Sequence, residues 1–398
     1  MIKELKHELK RIIKKYTGLV EPLADDYSFV QNINLDLRKK QRRVLLLYLD
    51  YQMSSKRISE VIVQAESGAA HTNQYELFQI IKCFIDMDFI VDVCFCNDES
   101  RTELIEQYQY DVMFGLGENF RKLSSNQDCL KILYMTENPY STSLVREKER
   151  LDYFYKRHGV RHSLYRTGMF FKENDEKIAD AIVSLSGDSS LGQLNVPVKR
   201  VFPTGFLCNE RYEMSHRDSR KFIVFGTDGI IHKGIDLLVE VFSNIPDCIL
   251  YLCGYDVTNS LLQLGYESIP NNIVDMGYIS YTSKDFLWLI QECSYCLLPS
   301  CSEGTPTGVL TLMRHGVIPI VMHGNGFDDL GDYCLFFNGY LLDEIQTTIE
   351  EAGKKSIDEL TPFFEKVKTF ADNNFSLEAF SSEMKKNLEN IFSELGKE

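Results

Sequence analysis

A turn rich in small and polar residues, at 299–308, carries the side chain best suited to chemistry. Glu303 lies in this turn, after the apolar run Tyr295–Pro299 and before a second apolar run, Ile318–Met322. We predict a buried strand, the polar turn, a short helix near Val309–His315 and a second strand. Free backbone N–H groups at the start of such a helix suit a phosphate. A carboxylate in the turn can accept hydrogen bonds from sugar hydroxyls.

A second candidate, Lys233, follows the apolar strand Lys221–Phe225. It lies between Gly226 and Gly234 in a loop that leads into a helix. Positive charge at this place would attract a phosphate, because charges attract strongly in a partly buried cleft. A single lysine at a helix start can also be an ordinary solvated residue.

A third candidate, Glu137, lies at the carboxyl end of the predicted strand Ile132–Met135, just before Pro139. Polar residues at that end of a parallel strand face the cleft where ligands bind. A carboxylate there could orient or deprotonate a hydroxyl group of a substrate. Alternatively, Glu137 and Asn138 cap the helix that follows.

The turn and the loop that carry Glu303 and Lys233 resemble the nucleotide-sugar signature of retaining GT-B glycosyltransferases of family four. Ser300–Pro306 matches the first half of the consensus, Ser-x-x-Glu-Gly-x-Pro, and Gly316–Val321 resembles its later Gly-x-Pro-Val-Val. The similarity extends over most of residues 200–325. It implies that Lys233 neutralises the donor diphosphate and that Glu303 contacts the donor sugar.

Two positions depart from the family pattern. Thr311 stands where the family has a second Glu that grips the nucleotide ribose, and Thr227-Asp228 replaces an Arg that helps to hold the diphosphate. A threonine can offer one hydrogen bond but not a bidentate pair. The nucleotide is therefore held differently, is held weakly, or catalysis has been lost. His232, Arg200 or Arg211 could supply the missing positive charge.

The predicted donor-binding residues belong to these motifs and to one loop of the first domain. Gly68 lies in that loop, Ser67–Ala70, which resembles the small-residue loop that a diphosphate approaches, although an ordinary loop and helix cap explains it equally well. The full donor-binding set is Gly68, Gly226, Thr227, His232, Ser302, Gly304, Thr305, Thr307, Gly308, Val309 and Thr311.

The length of 398 residues and the alternation of strands and helices predict two α/β domains. We predict strands at Val44–Leu49, Ile90–Phe95, Val112–Gly115, Ile132–Met135, Ala181–Leu185, Val201–Pro203, Lys221–Phe225, Ile249–Cys253, Ile273–Met276, Tyr295–Pro299 and Ile318–Met322. Helices are predicted at Asn73–Met87, Gly234–Phe242, Ser283–Glu292, Val309–His315 and Phe375–Phe392. The resemblance implies the GT-B class: two doubly wound Rossmann-like domains, at 44–205 and 206–374, with a cleft between them. A C-terminal helix within 375–398 would return to the first domain.

Residues 1–43 form a basic segment, with eleven Lys/Arg against six Asp/Glu, whereas the whole chain has a net charge of −15. Apolar residues at helical spacing within 2–16 predict an amphipathic helix. It either packs on the body or lies on an anionic membrane surface. The acidic remainder argues against nucleic acid as a partner. Because the sequence has neither a signal-peptide pattern nor a run long enough to span a bilayer, we expect a cytoplasmic protein. If the helix at 2–16 binds lipid, the protein would be peripheral on the inner face of the plasma membrane.

The eleven cysteines lie mostly in apolar runs, among them Cys83, Cys94 and Cys253. Cys293 and Cys296 form a C-x-x-C, but no second pair lies at zinc spacing. We therefore expect buried free thiols and no bound metal, and family-four enzymes characteristically need none.

The resemblance to family-four enzymes thus implies a metal-independent, hexosyltransferase-type enzyme. It would transfer a sugar, with retention, from a nucleotide diphosphate donor, UDP or GDP first among them, to a carbohydrate or lipid-linked acceptor. Bacterial surface polysaccharide or glycoconjugate synthesis is the expected setting, and no cofactor beyond the donor is expected. The alternatives are a catalytically inert GT-B protein that binds a carbohydrate or a partner, and a GT-B nucleotide-sugar epimerase.

Overall fold

Two sheets with helices on both faces organise the chain. The computed structural model describes residues 29–49, 72–192, 194–208, 210–226, 228–254 and 256–397. The predicted helix at 2–16, Gly68 and Thr227 lie outside these described residues.

The first sheet has, among the described residues, seven strands in the order β1-β3-β2-β4-β5-β6-β7. Neighbouring strands are parallel, except that β1 runs antiparallel to β3. Its parallel strands are largely apolar along their length, because helices cover both faces of the sheet. They are β1 (Phe29–Ile33), β2 (Arg43–Tyr48), β3 (Ile90–Phe95), β4 (Val112–Gly115), β5 (Leu130–Met135), β6 (Ala181–Ser184) and β7 (Val198–Arg200).

The second sheet is wholly parallel, and its described strands follow the order β10-β9-β8-β11-β12-β13. The order reverses direction at β8 and β11, whose carboxyl ends lie side by side. In open α/β sheets such a reversal is where ligands bind. The strands are β8 (Asp218–Phe225), β9 (Ile249–Cys253), β10 (Ile273–Gly277), β11 (Cys293–Leu298), β12 (Ile318–Val321) and β13 (Leu335–Phe336).

The helices alternate with these strands. The helices connected to the first sheet are α1 (Thr72–Asp86), α2 (Thr102–Ile105), α3 (Gly117–Ser124), α4 (Tyr140–His158) and α5 (Asp188–Leu191). Those that follow are α6 (Ile230–Lys233), α7 (Ile235–Asn244), α8 (Val257–Gln263), α9 (Lys284–Glu292), α10 (Thr307–Met313), α11 (Leu342–Gly353), α12 (Ile357–Asn374) and α13 (Leu377–Glu394).

Two details of the sequence prediction need correction. Val201–Pro203 is not a strand, because the ladder with β6 is formed three residues earlier, by Val198–Arg200. Part of the basic segment at 1–43 also belongs to the first sheet, since Phe29–Ile33 forms its antiparallel edge.

Each sheet has its own apolar core, and the C-terminal helix belongs to the first one. Phe380, Met384 and Leu388 of α13 are buried in the core around β2–β6, and Phe392 stacks on Phe89 at 5.9 Å between ring centroids. The chain therefore returns to the first domain at its end, as predicted.

Helix α4 follows β5 in the chain but binds the second domain along much of its length. Arg150 is fully buried and donates from Nη2 to the carbonyl oxygen of Pro299 at 2.8 Å. Near the end of the helix, Arg157 pairs with Asp236 and Glu240 of α7. These contacts hold the two domains together on one side of the cleft.

Candidate active site at the domain interface

Glu303 lies in the turn between β11 and α10, buried at 6% exposure. Its Oε1 accepts hydrogen bonds from Lys233 Nζ at 2.5 Å and from Ser300 Oγ at 2.7 Å. Its backbone N–H donates to Asn325 Oδ1 at 2.9 Å. The carboxylate is thus fixed in one orientation by its own turn and by a buried cation.

Lys233 is brought to Glu303 by the short helix α6 and the glycine that ends it. Gly234 has φ +72°, and a Cβ there would lie 2.5 Å from the carbonyl oxygen of Pro299. Only glycine therefore allows the loop after β8 to approach the turn after β11 this closely. This close approach places the buried ammonium of Lys233 on Glu303.

Arg166, which the sequence analysis missed, joins this pair from the first domain. Its Nη2 donates to Glu137 Oε1 at 2.6 Å, and its Nη1 lies 3.7 Å from Glu303 Oε2. Neither Arg200 nor Arg211 is in this position: Arg200 contacts Asp329, and the side chain of Arg211 is exposed. Arg166 therefore adds positive charge beside Glu303, and His232, the third residue considered for this role, also lies there, with its Nε2 3.8 Å from Glu303 Oε1.

Glu137 contacts Arg166 rather than capping a helix. No side chain caps the start of α4, whose N-cap is Pro139. The carboxylate of Glu137 binds Arg166, and Asn138 donates to Ser302 Oγ at 3.0 Å. The capping alternative is therefore wrong for both residues.

The electrostatics keep Glu303 ionised. Burial alone would raise the pKa of its carboxyl, but Lys233, Arg166 and His232 outweigh burial and lower that pKa to about 2. Burial opposes the charge of Arg166 too, yet the charges of Glu303 and Glu137 raise the pKa of its guanidinium. At neutral pH, Glu303 is therefore an anionic hydrogen-bond acceptor and not a proton donor.

Glu147 on α4 positions the segment that carries Arg166. It is 1% exposed, and its carboxylate accepts from the backbone N–H groups of Tyr165 at 2.7 Å and Thr167 at 2.9 Å. Its Oε1 also lies 3.4 Å from His232 Nδ1. One carboxylate therefore anchors the Arg166 loop and contacts the second domain.

His232 is a buried cation in this arrangement. Its Nε2 lies 2.7 Å from the carbonyl oxygen of Ser302, and its Nδ1 faces the Glu147 carboxylate and the Cys301 sulfur. Burial lowers the pKa of the imidazole, but its contacts with Cys301 and Glu147 outweigh burial and raise that pKa to about 10. The cluster thus has three cations, Lys233, Arg166 and His232, facing three carboxylates.

The remaining residues of the turn hold it against the first domain. Ser302 Oγ lies 2.9 Å from Ser143 Oγ, and Thr305 Oγ1 donates to the carbonyl oxygen of Leu185 at 2.5 Å. A Cβ on Gly304 would lie 2.4 Å from the carbonyl oxygen of Thr136. These three predicted donor-binding residues thus lie at the domain contact.

Helix α10 begins with Thr307, and Gly308 packs closely under Phe225: a Cβ there would lie 2.9 Å from the Phe225 carbonyl oxygen. Val309 is buried in the second core. Gly226, with φ +90°, donates its N–H to the carbonyl oxygen of Cys253 at 2.9 Å. The structure therefore places Thr307, Gly308 and Gly226 around the carboxyl ends of β8 and β11.

Thr311 is fully buried, and its hydroxyl accepts a hydrogen bond from the Phe206 N–H at 3.1 Å. The ring of Phe206 packs on Tyr281 at 4.6 Å between centroids. Gly205 lies so close to α10 that a Cβ would be 2.7 Å from the Leu310 carbonyl carbon. The chain's own crossover thus occupies the neighbourhood of Thr311, and its ribose-binding role stays a prediction.

All eleven cysteines are free, and those predicted to be buried thiols, such as Cys83, Cys253 and Cys296, are buried. In the part of the chain that the structure describes, no group of three or more His, Cys, Asp or Glu side chains could hold a metal ion. No helix there is long and apolar enough to cross a bilayer.

Comparison with solved structures decides the fold. Sucrose-phosphate synthase from Thermosynechococcus elongatus superposes with a TM-score of 0.55 at 13% identity, over 89% of this chain and 100% of that one. Anabaena HepE, solved with UDP and glucose, gives 0.51 at 11% identity, over 88% and 100%. TarM gives 0.51 at 14% identity over 73% of this chain, which spans 57% of the TarM chain. The chain has the GT-B fold.

No family model matches the sequence, and the search of curated proteins found no match. The cluster lies at the carboxyl ends of parallel strands, the edge of an open α/β sheet at which ligands bind. Glu137 follows β5 of the first sheet, Lys233 follows β8 and Glu303 follows β11 of the second. The carboxyl ends of strands from both sheets therefore meet at these three side chains.

Proposed function

We propose that this protein is a glycosyltransferase that moves a sugar from a nucleotide diphosphate donor to a carbohydrate or lipid-linked acceptor. The observation that supports this most is the buried contact of Glu303 with Lys233 and Arg166 between the two sheets. Such groups suit the reaction, since a leaving diphosphate needs cations and a sugar needs a fixed acceptor of hydrogen bonds.

In this proposal Lys233 and Arg166 stabilise the departing diphosphate. Arg166 replaces the arginine that the loop after β8 lacks, and it reaches the site from the other domain. A guanidinium can bind phosphate oxygens in a bidentate way. As it turns to the donor, Arg166 releases the carboxylate of Glu137, which then orients the acceptor hydroxyl or takes its proton.

We further propose retention at the transferred carbon, a hexosyl donor carried by UDP or GDP, and activity without a bound metal. The sequence motif around Glu303 supports retention, and the cations Lys233 and Arg166 supply charge that a metal would otherwise provide. HepE, which has the same fold, has been solved with UDP-glucose. Transfer that persists in EDTA would support the metal-independent reaction, and a requirement for an added divalent cation would contradict it.

The experiment that tests the function is donor hydrolysis and transfer by the purified full chain. A thermal-shift screen with UDP, GDP, CMP, ADP and dTDP first identifies the base, and the matching nucleotide sugars are then offered with and without acceptor. Glu303→Gln and Arg166→Ala are expected to lower turnover by about 10²-fold or more. Arg161→Ala, an exposed arginine on the same segment, is the matched control.

Two results would contradict this function: no nucleotide that raises the melting temperature, or full turnover in both variants. Binding of a nucleotide without turnover would favour the second candidate, an inert GT-B binding protein. The observation behind that candidate is the position of Thr311, whose hydroxyl is already engaged by the Phe206 N–H.

We also propose that bacterial surface polysaccharide or glycoconjugate synthesis is the setting, and that residues 2–16 bring the enzyme to an anionic membrane. Each basic residue near such a surface contributes about 1 kcal/mol. The test is flotation with phosphatidylglycerol vesicles, comparing the full chain with one lacking residues 2–24, which keeps the edge strand β1. Equal flotation of the two chains would contradict membrane binding by this segment.

A further inference from the structure

A cavity of about 390 Å³ lies between the segment after α4 and the second domain. Its first-domain wall includes Glu147, His162 and Tyr165. Its second-domain wall is formed by the loop after β8, through Asp228 and His232, and by helix α8. A volume of this size is usual for a small-molecule site, and so is its place between domains.

Tyr165 and Asp228 close the cavity across the domain boundary. The Tyr165 hydroxyl donates to Asp228 Oδ1 at 2.5 Å. The Tyr165 ring lies against Gly229, where a Cβ would be 2.8 Å from a ring carbon. The residue is nevertheless 48% exposed. An aromatic surface is therefore open to a ligand beside a fixed carboxylate.

The polar groups of the cavity wall can form hydrogen bonds with the hydroxyl groups of a ligand. His162 Nε2 is buried without a hydrogen-bond partner in the described part of the chain. A buried polar atom of this kind costs free energy unless a ligand or a water satisfies it. Ser260 and Gln263 of α8 add a hydroxyl and an amide. Imidazole, amide, hydroxyl and carboxylate together both donate and accept hydrogen bonds.

The charge of the cavity disfavours an anion. Two carboxylates, Glu147 and Asp228, line the cavity against one imidazolium, His232, which lies 3.4 Å from Glu147. Arg166 attracts Asp228 from outside this lining, so the wall itself has an excess of negative charge. A phosphate or a uronate would be repelled there. A neutral, hydroxyl-rich molecule would not.

We propose that this cavity binds a neutral saccharide, and that this saccharide is the acceptor. The proposal rests on the proposed glycosyltransferase function. The cavity adjoins the reacting groups, because Nε2 of His232, a residue of its wall, lies 3.8 Å from Glu303 Oε1. An acceptor held there lies beside the cations that would stabilise the leaving diphosphate.

The test uses the full chain and a panel of probes: maltose and N,N′-diacetylchitobiose as neutral saccharides, and glucuronic acid and glucose 6-phosphate as anionic ones. Binding is followed by ligand-observed NMR and calorimetry. At least one neutral probe is expected to bind, and to bind at least tenfold more tightly than either anionic probe. Ser260→Trp, which fills the cavity from α8, should weaken that binding by at least tenfold. Asn259→Trp, at the neighbouring exposed position outside the cavity, should not.

Three results would overturn the saccharide site: no neutral probe binding to the wild-type chain, equal weakening by the two tryptophan variants, or displacement of the saccharide by the nucleotide alone. Calorimetry with UDP and GDP separates these results from a failure of the proposed function. A chain that binds a nucleotide and hydrolyses its sugar but binds no saccharide would refute this site only. A chain that neither binds nor hydrolyses any donor would refute the transferase.

Discussion

Replacing Lys233 by methionine should reduce stability as well as activity. Methionine keeps the length and apolar stem of lysine but removes the ammonium that contacts Glu303 Oε1 at 2.5 Å. The carboxylate then stays buried with Ser300 as a hydrogen-bond donor and with Arg166 3.7 Å away. The change therefore tests the central ion pair without opening a cavity.

The magnitude follows from the pKa of Glu303, which is about 2 in the folded chain against an ordinary value of 4.5. Each pKa unit corresponds to about 1.4 kcal/mol, so the lowering of the pKa from 4.5 to about 2, in which the cations outweigh burial, stabilises the folded state by roughly 3–4 kcal/mol at neutral pH. Lys233 is the first of these cations, and Arg166 and His232 provide the rest. Loss of Lys233 should thus cost about 1–3 kcal/mol.

The pH dependence has a definite sign. Because the folded pKa of Glu303 is depressed, its contribution is fully present above about 4.5 and is lost as the pH falls towards 2. The difference in stability between wild type and Lys233→Met should therefore be largest at neutral pH and should shrink below pH 4.5.

Thermal melting of the full chain between pH 7 and pH 3 is the assay. A loss of about 1–3 kcal/mol should lower the melting temperature of the second domain by roughly 2–12 °C at pH 7. Lys284→Met, at an exposed lysine of the same domain, is the control and should change little. A melting temperature equal to wild type at pH 7, or a deficit that grows with acidity, would refute the reasoning.

Three further changes test the surroundings of the cluster. Thr311→Val removes the hydroxyl that accepts a hydrogen bond from the Phe206 N–H, and it should destabilise the fold by about 1–3 kcal/mol. Thr311→Ser keeps the hydroxyl and should not destabilise the fold. Equal melting temperatures for the two variants would contradict the role of this bond. Glu147→Gln should lower the pKa of His232 from about 10, and NMR should then show the imidazole proton signal titrating at a lower pH. An unchanged titration would exclude Glu147 as a cause of the raised pKa. Glu137→Gln should reduce transfer to an acceptor more than donor hydrolysis, measured with the same nucleotide sugar, and equal losses would place Glu137 on the donor instead.

Buried parallel strands were the easiest elements to predict. Runs such as Ile90–Phe95 and Ile249–Cys253 are apolar throughout because both sheet faces are covered, and their bounds agree with the structure. The edge strand Phe29–Ile33 is half polar and gives no such signal. Val201–Pro203 is apolar but lies beyond the ladder with β6, so composition alone misplaced the strand.

The site could be predicted only at residues that a local sequence motif marks. The motif spacing identified Glu303 and Lys233, and the structure brings them into contact. Arg166 could not be found in this way, since nothing in its local sequence distinguishes it from Arg161. Its role depends on α4 and on Glu147, which bring its loop to a turn 137 residues further along the chain.

The way α4 crosses between the domains limits how far the molecule can be treated as two modules. A chimera that joins the first domain of this chain to the second domain of another, cut in the crossover after Arg200, would carry α4 with it. Arg157 would lose Asp236 and Glu240, and the buried Arg150 would lose the carbonyl of Pro299. An isolated first domain would expose this charged helix face to solvent together with the loop that holds Arg166. A chimera that keeps the contacts of the second domain intact must therefore move residues 140–158 together with that domain, although they precede the crossover in the chain.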